Sequence, residues 1–292
     1  MKNIYKTAVL IRFFEERILG LFSEGLLSGT THTCIGQEII PIIVSNCLQP
    51  QDIVWSNHRG HGHYLARTGD VKGLLAEIMG LPSGICGGRG GSQHLCNSNF
   101  FSNGVLGSTA PIAAGMALAE KRADSNAIVV LYLGDGAFGE GIVYETLNMA
   151  SLWKLPLLII VEDNQYAQTT HWRNNRAGTI SNRVKAFDIP HHVISPIYLK
   201  DTKRLVDAVI KKVRQNSFPH VLIFDTYRLS SHSKGDDFRS DDELRLYKSR
   251  DPLSILRSII GDTEAQLIEE NARRILRQVE HEIRRVNPTS TD

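Results

Sequence analysis

Asp135 and Asn164 stand just past two apolar runs, 128–133 and 157–161. Continuous, partly β-branched runs of this kind suit strands buried on both faces of a parallel sheet. In such sheets ligands bind outside the carboxyl ends of the strands. Asn164 follows Asp135 by 29 positions, which fits one strand–helix–strand unit. The two side chains would then meet at neighbouring strand ends. A carboxylate, an amide oxygen and nearby backbone carbonyls form a hard-oxygen site. Such a site suits magnesium held jointly with the phosphates of a ligand. Gly136 and Ala137 break the first run, and their amides, in a tight turn at a helix start, suit the phosphates themselves.

The elements that must position these residues can be read in order. The periodicity predicts an amphipathic helix over 4–24, with Ile4, Ala8, Ile11, Ile18 and Leu21 on one side. Further helices are expected over 39–47, 71–79, 111–121, 140–153 and 205–213. The helix over 140–153 carries Val143, Leu147 and Ala150 at helical spacing, and Pro156 closes it. Strands are expected over 52–55, 191–197 and 221–226, beside the two that carry the site. Residues 173–187 are polar and turn-rich, and read as a mobile loop near the mouth of the site. Residues 264–286 alternate acidic and basic side chains around one apolar stripe, as a largely solvated helix does. The expected architecture is α/β, a mostly parallel central sheet with helices on both faces. Its domain would span 1–252, with a helical extension over 253–286 and a disordered tail over 287–292.

Composition narrows the function. The chain has 292 residues, 42% hydrophobic and 22% charged, with a net charge of +2. That is ordinary for a globular protein, and no dense basic run calls for nucleic acid. No apolar stretch reaches the length of a membrane span. Lys, Arg and Glu interrupt the first twenty residues, so no signal-peptide core is present. The four cysteines form no CxxC pair and fit free thiols in a reducing compartment. The expected location is the cytoplasm, or the mitochondrial matrix if a presequence has been removed.

Three further stretches could carry chemistry. His58, His61 and His63 suggest a metal site, but no adjacent cysteine or carboxylate completes a tetrahedron. Arg59 among them offers a planar fork for a diphosphate. His32 lies on a polar loop over 28–38, where a lone histidine is ordinarily structural or exposed. The glycine-rich run 84–91 reads, on its residues alone, as a flexible connector.

Gly134-Asp135-Gly136-Ala137, followed by Asp163-Asn164, resembles the thiamine diphosphate motif. Around it, His32 before Gly36-Gln37-Glu38, Arg59-x-His61-Gly62, Gly104-Val105-Leu106-Gly107 and Tyr227-Arg228 with His232-Ser233 add to the likeness. Together they resemble the alpha subunit of the 2-oxo acid dehydrogenases, the thiamine-dependent decarboxylating component of pyruvate, branched-chain and acetoin complexes. The likeness runs from about 5 to 251. It implies a thiamine diphosphate-binding fold, with thiamine diphosphate and Mg2+ as cofactors. Asp135, the Asn164 side chain and the Tyr166 carbonyl would bind the metal. The Gly136 and Ala137 amides, His58, Arg59 and His232 would hold the diphosphate. The Gly104 carbonyl would accept from the pyrimidine's amine, and the Leu106 amide would donate to a ring nitrogen. His32 and His232 would contact substrate and move protons.

The likeness also shows departures. His58 stands where many members have a tyrosine, Ser230 where many have a histidine, and Asp163 where an asparagine is usual. Asp163 thus adds a charge beside the metal site. Ser233 aligns with a serine that is phosphorylated in some members. The carboxylate that activates the pyrimidine is absent, and in two-subunit members a beta-type subunit supplies it as a glutamate. The resemblance therefore implies a chain inactive alone, assembled as two alpha and two beta subunits with sites at their interfaces. A lipoyl-bearing acyltransferase is a further partner, and the substrate is a 2-oxo acid or an acetoin-like small molecule. Competing readings are half of a split transketolase-like enzyme, which sugar phosphates would reveal, and a non-catalytic assembly subunit of the same fold. A dinucleotide oxidoreductase lacks its glycine fingerprint here.

Overall fold

The computed structural model describes residues 1–292 except Ser28, Lys234, Asp236 and 287–292. The expected disorder of the tail therefore lies outside the described residues. In chain order the elements are α1 (Lys2–Ser23), α2 (Ile39–Ser45), β1 (Ile53–Ser56), α3 (His61–Thr68), α4 (Val71–Ile78), β2 (Cys96–Asn97), β3 (Phe100–Ser102) and α5 (Thr109–Ala123). Then come β4 (Val129–Gly134), α6 (Gly141–Leu152), β5 (Leu157–Asp163), β6 (Tyr166–Ala167), β7 (Thr170–His171), α7 (Ile180–Lys185), β8 (His191–Ile194), α8 (Leu199–Asn216) and β9 (His220–Asp225). Three helices close the chain: α9 (Asp241–Lys248), α10 (Pro252–Ile260) and α11 (Asp262–Val286).

The chain divides into two compact units. One comprises Met1–Ile42, Arg59–Asn97 and Arg228–Asp292; the other comprises Ile43–His58 and Ser98–Tyr227.

The second unit is built on six strands in the order β3-β1-β4-β5-β9-β8, every neighbouring pair parallel. Side chains alternate across the sheet, and here both sets are buried. Val129, Leu131, Leu133, Leu157, Ile159 and Val161 pack with Ala113 and Ala117 of α5 and Val143 and Leu147 of α6. On the other strand positions Val130, Leu158, Ile160 and Leu222 are equally buried, as are Val206, Val209, Ile210 and Val213 of α8. Burial on both faces explains the unbroken apolar runs of the sequence. The small residues of α5 let it approach α6 and β4 closely.

The first unit is helical and is held by charge as well as by apolar packing. Its longest helices, α1 and α11, pack against each other. Tyr5, Ala8, Ile11, Phe14, Ile18 and Leu21 line the buried side of α1. The stripe on α11 is Ala265, Ile268, Ala272, Leu276 and Ile283, while Leu267 is exposed. Arg12 joins Glu38 through Nε at 2.5 Å and Asp251 through two further bonds of 2.9 and 3.0 Å. The start of α10 is thereby tied to α1 and to the loop before α2. Among the described residues no helix is long and apolar enough to cross a membrane, and the four cysteines form no disulfide.

Candidate active site

Register places the two leading residues of the second unit. Gly134 pairs with Glu162 across β4 and β5, so Asp135 falls level with Asp163, one residue before Asn164. Both Asp135 and Asn164 are buried. The chain then reverses in the hairpin β6–β7, where Tyr166 faces His171. Asn164 Oδ1 accepts from the Tyr166 amide at 3.2 Å, a side-chain turn that fixes both residues. Gln165 between them has a left-handed backbone, φ 71°, as does Gln168, φ 56°. Each costs a non-glycine residue about 1–2 kcal/mol, so the neighbourhood must hold them.

The hairpin also lies directly over the glycine turn. A Cβ on Gly136 would sit 2.6 Å from the Ala167 Cβ, closer than carbon atoms can pack. Glycine is required there because Ala167 approaches. The turn runs on into a 3-10 segment, Ala137–Gly139, and α6 begins only at Gly141. The helix start therefore falls later than the expected residue 140. The chemistry of the donor set fits a divalent cation with phosphate: a carboxylate and an amide oxygen at adjacent strand ends, beside a turn whose backbone can approach a ligand closely.

Gly104 and Leu106 lie on the loop before α5, also in the second unit. The Asn103 side chain accepts from the Val105 amide at 2.7 Å, and the Leu106 carbonyl accepts from Ser108 N at 2.6 Å. Leu106 packs against the sheet core. Among the described residues no hydrogen bond engages the Gly104 carbonyl or the Leu106 amide. His58 follows β1 and is half-buried.

Within the first unit, His32, Arg59 and His232 come together. The His32 and His232 rings meet edge to face at 4.6 Å. Arg59 is buried and donates to the Thr33 carbonyl at 2.6 Å and to Nδ1 of His232 at 3.1 Å. A guanidinium only donates, so His232 accepts at Nδ1 and carries its proton on Nε2. Gln93 donates its amide to Nδ1 of His32 at 3.3 Å, which favours the same tautomer there. Thr33 and Ser230 share a hydroxyl bond of 2.7 Å, and the Leu229 amide donates to the Ile35 carbonyl. The two histidine-bearing loops are thereby sewn together.

Buried charges support these loops from behind. Glu15 accepts from the Cys34 amide and from Nδ1 of His61, both at 2.9 Å, while His61 Nε2 meets Ser92 at 2.8 Å. The Glu15 carboxyl is wholly buried, yet the attraction and hydrogen bond of His61 hold it below the usual carboxylate range. His61 thus links Glu15 to Ser92 and serves the fold. Glu77 accepts from the amides of Cys86, Gly88, Gly90 and Gly91 at 2.6–3.2 Å. The glycine-rich run that read as a flexible connector is therefore wrapped around a carboxylate. Gly88 needs its glycine there, with φ +75° and the Gly80 backbone against it. Arg239 grips the Arg228 and Ser230 carbonyls at 2.5 and 2.7 Å and pairs with Asp237. That pairing lowers the Asp237 carboxyl below its ordinary value.

Glu77 and Arg239 are functional supports whose partners no local sequence pattern announces. Each acts on a segment whose own sequence gives no sign of it. Asp163 was expected as an added charge, but Arg176 meets it at 3.0 Å.

The pattern of the dehydrogenase E1 component family matches residues 5–290. The chain is 36% identical over 286 residues to the pyruvate dehydrogenase E1 component subunit alpha of Rickettsia felis, covering 94% of this chain and 88% of that one. It is 32% identical over 295 residues to the protein of the same name from Rhizobium meliloti, covering 99% and 83%. It is also 29% identical over 285 residues to the alpha subunit of acetoin:2,6-dichlorophenolindophenol oxidoreductase of Bacillus subtilis, covering 95% and 86%.

Proposed function

The chain belongs to the dehydrogenase E1 component family, and on that premise we propose that it is the alpha subunit of a thiamine diphosphate-dependent enzyme. That enzyme decarboxylates a 2-oxo acid, or cleaves an acetoin-like substrate, and passes the acyl or aldehyde unit to a lipoyl or other acceptor. The observation that carries the proposal is in the second unit. Asp135 and Asn164 end adjacent strands in register, beside a turn where only Gly136 fits under Ala167.

In that unit Asp135, the Asn164 amide and the Tyr166 carbonyl would hold Mg2+. The Gly136 and Ala137 amides and His58 would take diphosphate oxygens, and Gly104 and Leu106 would orient the pyrimidine through their backbone groups. In the first unit Arg59 and His232 would donate to the diphosphate. Thiamine diphosphate supplies, when bound, a carbon nucleophile and a sink for the electron pair released with carbon dioxide. The chain's part is to bind, orient and move protons. His32 and His232 each present an Nε2 proton, fixed by the donors on Nδ1; His32 would donate its proton to a developing oxyanion, and His232 its single proton to that oxyanion or to the diphosphate, one acceptor at a time. The binding domain is assigned to 1–252 and the helical extension to 253–286.

The proposal includes a beta-type partner that supplies the activating glutamate, in an assembly of two alpha and two beta chains. It places the enzyme in the cytoplasm, in keeping with four cysteines that form no disulfide. The test is calorimetric titration of the full chain, with its co-purifying subunit, against thiamine diphosphate in magnesium. Asp135→Ala should weaken binding by at least about 100-fold without changing the melting temperature. Binding that needs no magnesium, or an unaffected variant, would sink the assignment.

A further inference from the structure

Asp163 and Asn164 are neighbours with different duties. The Asp163 carbonyl accepts from Thr226 N at 3.1 Å, which fixes the end of β5 beside β9. Its carboxylate turns to Arg176, thirteen residues on, at 3.0 Å. Both side chains are largely buried, 20% and 11% exposed. Arg176 also lies over the Trp172 ring, 4.9 Å from its centre. Trp172 is tied back to the start of the segment, because its amide donates to the Gln165 carbonyl at 2.9 Å. The amides of Asn175 and Arg176 then donate to the Trp172 carbonyl at 3.1 and 2.9 Å. The path from Asp163 out through the hairpin and back is thus closed by one ion pair and one stacked ring. Inside the closed loop lie Asn164, the left-handed Gln165 and Tyr166.

We propose that Asp163 and Arg176, with Trp172 as their platform, form a latch that holds the hairpin segment across the end of β5 and so positions Asn164 and the Tyr166 carbonyl. Asp163 and Arg176 are positioning residues. A carboxylate one residue from a metal ligand is a competing anion unless a cation holds it. Arg176 is that cation: it neutralises the charge and keeps the Asp163 side chain turned toward the segment. A guanidinium suits the task because it can pair and stack at once. The consequence for metal binding rests on the proposed function; the latch itself does not.

The experiment compares the full chain, with its co-purifying subunit, to Arg176→Gln, Asp163→Asn, the double variant and Arg176→Lys. Hydrogen exchange is measured first, without added magnesium or thiamine diphosphate. Each single variant should raise amide exchange over residues 166–178 by about 10-fold and leave β9 protected. The double variant should be no worse than the more affected single one, because the two residues act as one unit. Unchanged exchange in both single variants, or effects that add, would overturn the latch. Magnesium is then titrated at fixed thiamine diphosphate. Arg176→Gln should raise the apparent Kd for magnesium about 10-fold, with kcat at saturating magnesium within twofold of the parent. Arg176→Lys should recover part of that loss. Faster exchange with unaltered magnesium affinity would overturn the positioning role. A parent protein that binds no thiamine diphosphate would refute the proposed function, while the exchange data would still decide the latch.

Discussion

The two units hold their functional residues in opposite ways. In the second, Asp135 and Asn164 sit at the ends of strands buried on both faces, and the sheet's register sets their spacing. In the first, His32 and His232 sit on loops, and buried carboxylates and guanidiniums set theirs. The lesson concerns reach. Apolar packing positions a residue through the element it ends. A buried charge positions a loop residue by gathering several backbone amides or carbonyls at once, from elsewhere in the chain.

Removing core from the second unit is the strongest way to break the contrast. Leu147→Ala, in a fully buried position on α6, should lower stability by about 4 kcal/mol. Denaturant unfolding reads that loss, and every strand should lose protection together. Glu77→Gln should act on the first unit and more locally, costing about 2–3 kcal/mol, because the amide that replaces one oxygen cannot accept from the backbone donors it meets. Hydrogen exchange should rise over 86–91 and stay unchanged in α1. Equal exchange in both places would mean that Glu77 acts through global stability.

The smallest effect sharpens the contrast from within the apolar unit. His192 Nδ1 and His220 Nε2 meet at 2.9 Å with their rings stacked. Burial, and then the neighbouring His192, push His220 down to about 4. Between the ordinary histidine value and about 4, the unfolded chain binds a proton that the folded chain refuses. Stability should therefore fall as the pH drops through that window, by about 2 kcal/mol once solvent screening of the partly exposed histidine pair is allowed for. Doubly protonated, the facing nitrogens would both carry hydrogens and the bond would be lost. His220→Gln should flatten this part of the pH–stability curve, and an unchanged slope would assign the loss to other groups.

Legibility in the sequence followed the same division. The runs 128–133 and 157–161 became β4 and β5 because burial on both faces leaves an unbroken apolar signature. Asp135, Asn164 and the Gly136-Ala137 turn are legible from their places at the strand ends, whereas Gly104, Leu106 and Tyr166 are carried only by the resemblance. The predicted helix over 205–213 proved longer, Leu199–Asn216, because its first turns carry charged residues that the apolar pattern omits. Residues 173–187 read as a mobile loop, but the 3-10 turn Trp172–Asn174 runs into them and they contain α7, whose start Thr179 caps by accepting from the Asn182 amide. The helix α9 was missed, although Ser240 with Glu243 three positions on is a legible start signal. Nothing local announces that Glu77 will organise residues 86–91 or that Arg176 will meet Asp163. Such pairings depend on where the chain returns, and side-chain type alone does not say where that is.

The contact between Gly136 and Ala167 has a consequence for how this chain can vary. Two positions 31 residues apart occupy a single space that holds one methyl group. Neither can grow alone without prising the hairpin from the turn, yet the methyl could change hands. A chain with alanine at 136 and glycine at 167 would remove the methyl–methyl clash and leave the new Cβ pressed on the Cα at 167, 3.2 Å away, whereas alanine at both would not fit. The two sites are thus bound to inherit their sizes together, as a pair with one shared dimension.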